Sequence, residues 1–144
     1  MPEDQLFYIG QKVVLEKDGK VLILNDPVFG ADLPGGKIQI DETAFSEALK
    51  REVFEETGLD ITVGRPFHTG YFMMPENIKG RHHRNAGKRT FLIFFTAKYV
   101  SGDIKLSDEH NDYAWVDKHN YLSLIEDKLG NTKKALGAYF SAVK

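Results

Sequence analysis

The sequence predicts an α+β fold in which a mixed β-sheet is sandwiched between α-helices. Three observations support this class: strand-like and helix-like segments follow in the order strands, helix, strands, helix; residues 90–100 are apolar enough for a buried strand; and residues 43–57 carry a helical pattern. Because the 144 residues contain no repeat, linker or low-complexity tract, we expect one domain spanning residues 1–144.

Residues 7–26 predict a β-hairpin. Its two arms alternate apolar and polar residues on either side of an Asp18-Gly19 pair, a dipeptide that strongly favours a two-residue hairpin turn. Residues 27–37 then predict a loop, because two prolines and three glycines fall within eleven positions.

The middle of the chain predicts a helix followed by a broken strand. Residues 43–57 form the helix, and Gly58 is its expected C-terminal cap. Residues 59–74 predict strand structure with an interruption near residues 64–66, where glycine and proline occur. Residues 75–89 are polar and basic, which favours an exposed loop.

Two strands are expected after this loop. Residues 90–100, the most apolar stretch of the chain, predict a central strand, and residues 112–116 predict a short one. Two helices complete the fold. Asp117 is expected to cap a helix that runs to about residue 129, and Asn131 is expected to cap a last helix that runs through residue 143.

The charge and composition exclude several classes of function. A formal net charge of -2, from 19 basic and 21 acidic side chains, provides no general attraction to nucleic acid or to an anionic membrane. The absence of cysteine excludes disulfides and thiolate metal sites. The first ten residues lack the pattern of a signal peptide, and no apolar run approaches the roughly 20 residues of a membrane span. We therefore expect a cytoplasmic protein without nucleic-acid or membrane partners.

The predicted helix of residues 43–57 changes character along one face. At about 100° per residue, Phe45, Ala48 and Leu49 form an apolar stripe. Glu52 and Glu56 continue that stripe one and two turns later. The side of the helix that faces the sheet therefore changes from apolar to acidic near its C-terminal end.

Three glutamates, Glu52, Glu55 and Glu56, crowd this end of the helix, where the helix dipole is itself negative. Like charges at i,i+3 and i,i+4 cost roughly 0.2–0.5 kcal/mol per pair even when exposed. Two interpretations remain open from the helix alone. One is a solvated acidic face in which Arg51 is the counter-ion, and the other is a site for Mg²⁺ or Mn²⁺, which prefer oxygen ligands.

Residues 36–59 resemble the Nudix box, whose family pattern is G-x5-E-x7-R-E-U-x-E-E-x-G-U, where U is an apolar aliphatic residue. The matching positions are Gly36, Glu42, Arg51, Glu52, Val53, Glu55, Glu56, Gly58 and Leu59. Eight residues rather than seven separate Glu42 from Arg51. We place the additional residue in the turn that enters the helix, because an insertion inside the helix would rotate one end against the other by about 100°. The preceding hairpin and residues 108–116 also resemble the family.

The resemblance implies the Nudix fold, a mixed β-sheet sandwiched between α-helices. It also implies hydrolysis of a nucleoside diphosphate linked to another group, X, with Mg²⁺ or Mn²⁺ as the cofactor. The implied metal ligands are Glu52, Glu55, Glu56, Glu109 and the backbone carbonyl of Gly35. Arg51 would orient the glutamates by ion pairing, and either Glu56 or Glu109 would accept the proton of the attacking water.

Substrate contacts are expected from Gly36, Arg81, Arg84, Arg89 and His110. Residues 79–89 are either a solvated basic loop or a lid that contacts distal phosphates, and His110 either helps to bind a phosphate or sugar or is structural. The substrate is a small nucleotide, with a nucleoside triphosphate, ADP-ribose and a nucleotide sugar all open, and a homodimer is also open. The alternatives are an inactive Nudix-like domain that senses a nucleotide and an enzyme that acts on the 5′ end of RNA.

Overall fold

A seven-stranded mixed sheet forms the centre of the protein, whose residues 2–142 are described by a computed structural model. The strands are β1 (Tyr8–Lys17), β2 (Lys20–Asp26), β3 (Gly30–Asp32), β4 (Gly35–Lys37), β5 (Asp60–Met73), β6 (Arg89–Ser101) and β7 (Asp112–Val116). The main path runs β3-β2-β1-β6-β5, with β4 paired to β1 and β7 paired to β2. Because β1 is parallel to β6 and the other pairs are antiparallel, the predicted mixed α+β architecture is confirmed.

The predicted hairpin is confirmed as β1 and β2. Asp18 and Gly19 both have positive φ, 53° and 79°, as a tight turn between twisted strands requires. Both faces of the sheet are covered. One face packs with α1 (Phe45–Thr57) and the other with α3 (Asn131–Ala142), so neighbouring residues of β1 and β2 are buried on opposite sides.

Helix α1 carries the acidic cluster into the body of the protein. It ends as predicted at Gly58, whose φ is 77° and whose N–H donates to the carbonyl of Phe54. The expected apolar stripe is only partly correct, because Phe45, in the first turn, is 48% exposed. The buried face begins at Ala48 and continues to Thr57.

Two loop predictions need correction. The segment predicted as a loop at residues 27–37 contains β3 and β4, which are too short and too rich in glycine to show an apolar alternation. The segment predicted as an exposed loop at residues 75–89 contains a 3-10 helix, Gly80–Asn85, whose His82 is buried. The interruption predicted near residues 64–66 is a register shift on either side of Pro66 within the continuous strand β5.

The helix predicted from Asp117 to residue 129 is wrong. Only α2 (Tyr121–Leu124) is helical, because Ile125 turns to extended backbone and enters the core. Asp127 then accepts N–H groups from Gly130 and Lys133 and so caps α3, a role that the sequence had suggested for Asn131. The predicted end of α3 at residue 143 lies outside the described residues. Among residues 2–142, no helix is long and apolar enough to cross a membrane.

Candidate active site

A cleft of about 560 Å³ opens where β1, β4 and the C-terminal half of α1 meet the 3-10 helix and the loop before β7. The cleft collects side chains that lie far apart in the chain. Of the residues singled out from the sequence, it is lined by Gly35, Gly36, Glu52, Glu56, Arg81, Arg84, Glu109 and His110. Arg51, Glu55 and Arg89 lie outside it.

Glu56 is a carboxylate inside the protein. It is 5% exposed, and its Oε1 accepts the N–H of Gly35 at 2.7 Å. Burial raises the pKa of Glu56 to about 7, although the charge of Lys12 and the hydrogen bond from Gly35 oppose the shift. A buried carboxyl group whose pKa lies near neutral pH is typical of a functional site.

Glu52 lies one helical turn earlier, against the strand that carries Gly36. The Glu52 side chain is only 20% exposed, and this burial raises the pKa of its carboxyl group. A Cβ atom at Gly36 would lie 2.2 Å from Oε2 of Glu52. The missing side chain at position 36 therefore provides the space that the Glu52 carboxylate occupies.

Gly35 has a different reason to be glycine. Its φ of 144° is strained for any residue with a side chain, and an added Cβ would lie 2.0 Å from the carbonyl oxygen of Gln11 on β1. The two adjacent glycines thus serve the pairing of the strands and the position of the carboxylate, respectively.

Arg51 holds a cluster of carboxylates on the outer side of α1. Its guanidinium lies 3.0 Å from both Glu42 and Glu55, and 3.6 Å from Glu52. Glu42 reaches Arg51 despite the additional residue between them, and the turn before α1 contains a positive φ of 65° at Asp41. The Glu55 side chain is 56% exposed and directed to Arg51, so the structure does not bring this glutamate into the cleft.

A partly buried polar chain runs behind Glu56. Lys12 on β1 forms an ion pair with Asp32 at 3.2 Å, and the other Asp32 oxygen lies 3.0 Å from Nε2 of His110. Burial would raise the pKa of Asp32, but the charge of Lys12 and the hydrogen bond from His110 outweigh it and hold the pKa below its ordinary range. Asp32 is therefore an ionised acceptor, and Nε2 of His110 must be the donor.

This assignment leaves Nδ1 of His110 as an unprotonated nitrogen when the ring is neutral. The His110 side chain is 1% exposed, Nδ1 has no hydrogen-bond partner among the described residues, and Oε2 of Glu56 is 3.4 Å away. Ligand atoms of Glu56, Glu109 and His110 all lie within 4.8 Å of one another. Two carboxylates and an unpartnered imidazole nitrogen are a donor set that fits a divalent metal ion.

Asp32 and Lys12 were not among the residues chosen from the sequence. One signal was present, because Lys12 directly precedes the apolar run Val13-Val14-Leu15 within a predicted strand. A lysine at such a position needs a buried partner. Nothing in the sequence identified that partner as Asp32, which is brought to Lys12 only by the short strand β3.

Basic side chains also line the cleft. Arg81 pairs with the buried Asp26 and also donates to the carbonyl of Glu109 at 3.0 Å. His82 shares the same Asp26 carboxylate, with Nε2 at 3.0 Å, so Asp26 fastens the 3-10 helix to β2. Arg89 instead donates to the hydroxyl of Tyr71 at 2.9 Å, away from the cleft.

Comparison with known proteins is consistent with this geometry. The family model of the NUDIX domain matches residues 12–136. A MutT-like protein from Streptomyces ambofaciens is 29% identical over 105 residues, which are 72% of this chain and 59% of that protein. The chain thus spans less than two thirds of that relative's length.

Solved structures are similar over almost the whole chain. The crystal structure of a MutT protein from Methanosarcina mazei Go1 has a TM-score of 0.72 and 26% identity, covering 97% of this chain and 96% of that one. The structure of an ADP-ribose pyrophosphatase from Streptococcus suis 89-1591 has a TM-score of 0.68 and 19% identity, covering 95% and 92%. The second likeness shows a shared fold.

Proposed function

The chain belongs to the NUDIX domain family, and from that premise we propose that it is a pyrophosphohydrolase. Its substrate would be a nucleoside diphosphate linked to a group X, cleaved within the diphosphate bridge, and its cofactor Mg²⁺ or Mn²⁺. The observation that carries this proposal is the convergence of Glu56, Glu109 and the unpartnered Nδ1 of His110 at one point of the cleft. A buried carboxylate beside a second carboxylate is costly unless a cation is bound.

The residues proposed to hold the metal are Glu52, Glu56 and Glu109, with Nδ1 of His110 and the carbonyl of Gly35 completing the set. Glu55 is left out, because Arg51 holds it outside the cleft. When bound, the divalent ion would neutralise charge on the diphosphate and acidify a water molecule.

The protein's own groups prepare the site for this chemistry. Arg51 fixes the Glu52 end of α1 by binding Glu42 and Glu55 from outside. The proton of the attacking water would pass to Glu56 or to the exposed carboxylate of Glu109, both of which line the cleft. Lys12 supplies a fixed positive charge behind Glu56, and this charge favours the ionised, proton-accepting form of that carboxylate.

A substrate panel tests the proposal. We expect hydrolysis of at least one compound among nucleoside triphosphates, ADP-ribose, nucleotide sugars and dinucleoside polyphosphates, and we expect EDTA to abolish it. The products would be two phosphate-bearing fragments, separated by ion-exchange chromatography. Tight nucleotide binding without turnover across the panel would favour the sensor alternative. Cleavage confined to 5′-capped RNA, with a steep salt dependence of affinity, would favour the RNA alternative.

Replacing Gly36 with alanine is expected to weaken metal binding while the protein stays folded. The new Cβ would displace the Glu52 carboxylate, which is the mobile end of a side chain, and the backbone at residue 36 needs no positive φ. Loss of a well-placed ligand should lower Mn²⁺ affinity and turnover by roughly 10–100-fold.

Electron paramagnetic resonance of free Mn²⁺ measures this affinity directly. Gly137→Ala on α3 is the matched control, because its Cβ would meet only the Tyr121 hydroxyl at 3.6 Å. Equal Mn²⁺ affinity in Gly36→Ala and Gly137→Ala would remove Glu52 from the proposed ligand set. Gly35→Ala is expected to lose stability instead, since its Cβ would meet backbone.

A further inference from the structure

Three cations in the cleft differ from the others in having no counter-charge among residues 2–142. Lys12 is neutralised by Asp32, and Arg81 is neutralised by Asp26. Lys37, Arg84 and Lys88 also line the cleft, yet none of them lies within 4.0 Å of a carboxylate belonging to residues 2–142. Lys12 and Arg81, which hold the site together, are thus in ion pairs, whereas the other three cations form none within residues 2–142.

Lys37 on β4 and Lys88 just before β6 converge on the ring of Tyr8, and Arg84 on the 3-10 helix lines the same cleft. The Nζ atoms of Lys37 and Lys88 lie 5.2 Å and 5.0 Å from the centre of the Tyr8 ring. Asn85 fixes the position of Lys37 by accepting a hydrogen bond from Nζ at 2.9 Å. The ring attracts both ammonium groups but supplies no negative charge to neutralise them.

Lys37, Arg84 and Lys88 carry like charges that line one cleft and repel one another. A bound anion would remove this repulsion. Two compact ammonium groups and one planar guanidinium suit the several oxygens of a phosphate chain.

The cleft is therefore lined by two sets of groups of opposite charge. The divalent ion and the scissile diphosphate are proposed to bind at the acidic set, which comprises Glu52, Glu56 and Glu109. Lys37, Arg84 and Lys88 remain available to bind negative groups beyond that diphosphate. A neutral sugar would leave these cations unpaired, whereas further phosphates would neutralise them.

We propose that Lys37, Arg84 and Lys88 form an anion subsite for phosphate on the group X, so that the preferred substrates carry a negatively charged X. This inference rests on the proposed hydrolysis for its substrate class. The subsite itself requires only that a phosphate chain binds. Nucleoside triphosphates and dinucleoside polyphosphates meet the charge requirement, and nucleotide sugars do not.

Binding of inorganic tripolyphosphate in EDTA tests the subsite without any turnover. Isothermal titration calorimetry should show that Lys37→Gln and Lys88→Gln each weaken binding roughly tenfold, as expected when one charge-assisted hydrogen bond is lost. Lys88→Arg should restore most of the affinity. Lys79→Gln is the matched control, because Lys79 is an exposed lysine next to the 3-10 helix and outside the cleft. Equal affinities in Lys37→Gln, Lys88→Gln and Lys79→Gln would overturn the proposal.

Steady-state kinetics then test whether the subsite receives X. The variants Lys37→Gln and Lys88→Gln should raise KM for a nucleoside triphosphate roughly tenfold and leave KM for a nucleotide sugar nearly unchanged. An equal rise for both substrates would overturn the assignment to X, because the cations would then contact the shared diphosphate. If no compound is hydrolysed but tripolyphosphate binding still depends on Lys37 and Lys88, the proposed function fails and the subsite stands.

Discussion

Replacing Glu56 with glutamine is expected to lower pyrophosphate hydrolysis by about 10²–10⁴-fold, the range observed when a positioned general acid or base is lost. The change keeps the size of the side chain and preserves an oxygen that can accept the Gly35 N–H. It removes the negative charge that faces Nδ1 of His110 at 3.4 Å. The variant should therefore stay folded while losing both a metal ligand and a candidate base.

The same substitution should stabilise the metal-free protein, and the effect depends on pH. In the unfolded chain Glu56 titrates near its ordinary value of 4.5, whereas in the folded protein its pKa is about 7. Below pH 4.5 both states hold the proton, and this group's contribution to the stability is intact. As pH rises through about 7, the unfolded chain releases the proton more readily, so the free energy of unfolding falls by up to about 3 kcal/mol.

Thermal unfolding in EDTA measures this difference. The melting temperatures of the wild-type protein and Glu56→Gln should agree near pH 4.5 and separate towards pH 8, where the variant melts higher. Added Mg²⁺ should then stabilise the wild type by mass action and leave the variant almost unchanged. Glu47→Gln is the matched control, because Glu47 is an exposed glutamate of the same helix. Normal turnover in Glu56→Gln would refute its assignment to the site.

The acidic half of the site was predictable because it lies on one helix. Glu52 and Glu56 fall on one face by helical period alone, and the glycine cap at position 58 fixes where that helix ends. Glu109 could be chosen only through resemblance to a family, since no local pattern distinguishes it from other exposed acids. The partly exposed Phe45 shows the limit of periodicity, because the pattern does not show where along the helix the sheet begins.

The basic groups were predicted less completely, because Arg81 and Arg84 were expected to contact substrate but Lys37 and Lys88 were not chosen. The placement of Lys37, Arg84 and Lys88 along one cleft depends on β4 and the 3-10 helix. Both elements are short, rich in glycine or polar residues, and without a hydrophobic period. Their positions are set by long-range contacts, notably Asp26 with the 3-10 helix, which a one-dimensional pattern does not contain.

Replacing Asp32 with asparagine is expected to lower turnover roughly 10–100-fold, although Asp32 is not itself a proposed ligand or base. The ionised carboxylate accepts the Nε2 proton of His110, which leaves Nδ1 free to face Glu56. An asparagine can turn its amide to donate to Nε2, and the proton of the neutral ring then moves to Nδ1. The nitrogen that should bind a cation would instead carry a hydrogen.

The Asp32→Asn protein should also be less stable, because Lys12 loses its nearest counter-charge. Breaking a buried ion pair costs roughly 3–5 kcal/mol, and the lower end applies here, since the Asp32 side chain keeps 28% of its exposure. Adding Lys12→Gln removes the uncompensated ammonium. We therefore expect the double variant to recover much of the stability but not the turnover.

Nitrogen-15 NMR of the histidine rings separates this positioning role from simple destabilisation. In the wild type near pH 8, His110 should show the tautomer protonated at Nε2, and in Asp32→Asn the tautomer protonated at Nδ1. Asp60→Asn, which alters an exposed aspartate bonded only to Ser101 among side chains of residues 2–142, should change neither tautomer nor turnover. The opposite outcome is that Asp32→Asn keeps the Nε2 tautomer and loses activity in proportion to stability. Asp32 would then be a structural partner of Lys12 alone. His110 would need no aspartate to direct its free nitrogen at Glu56.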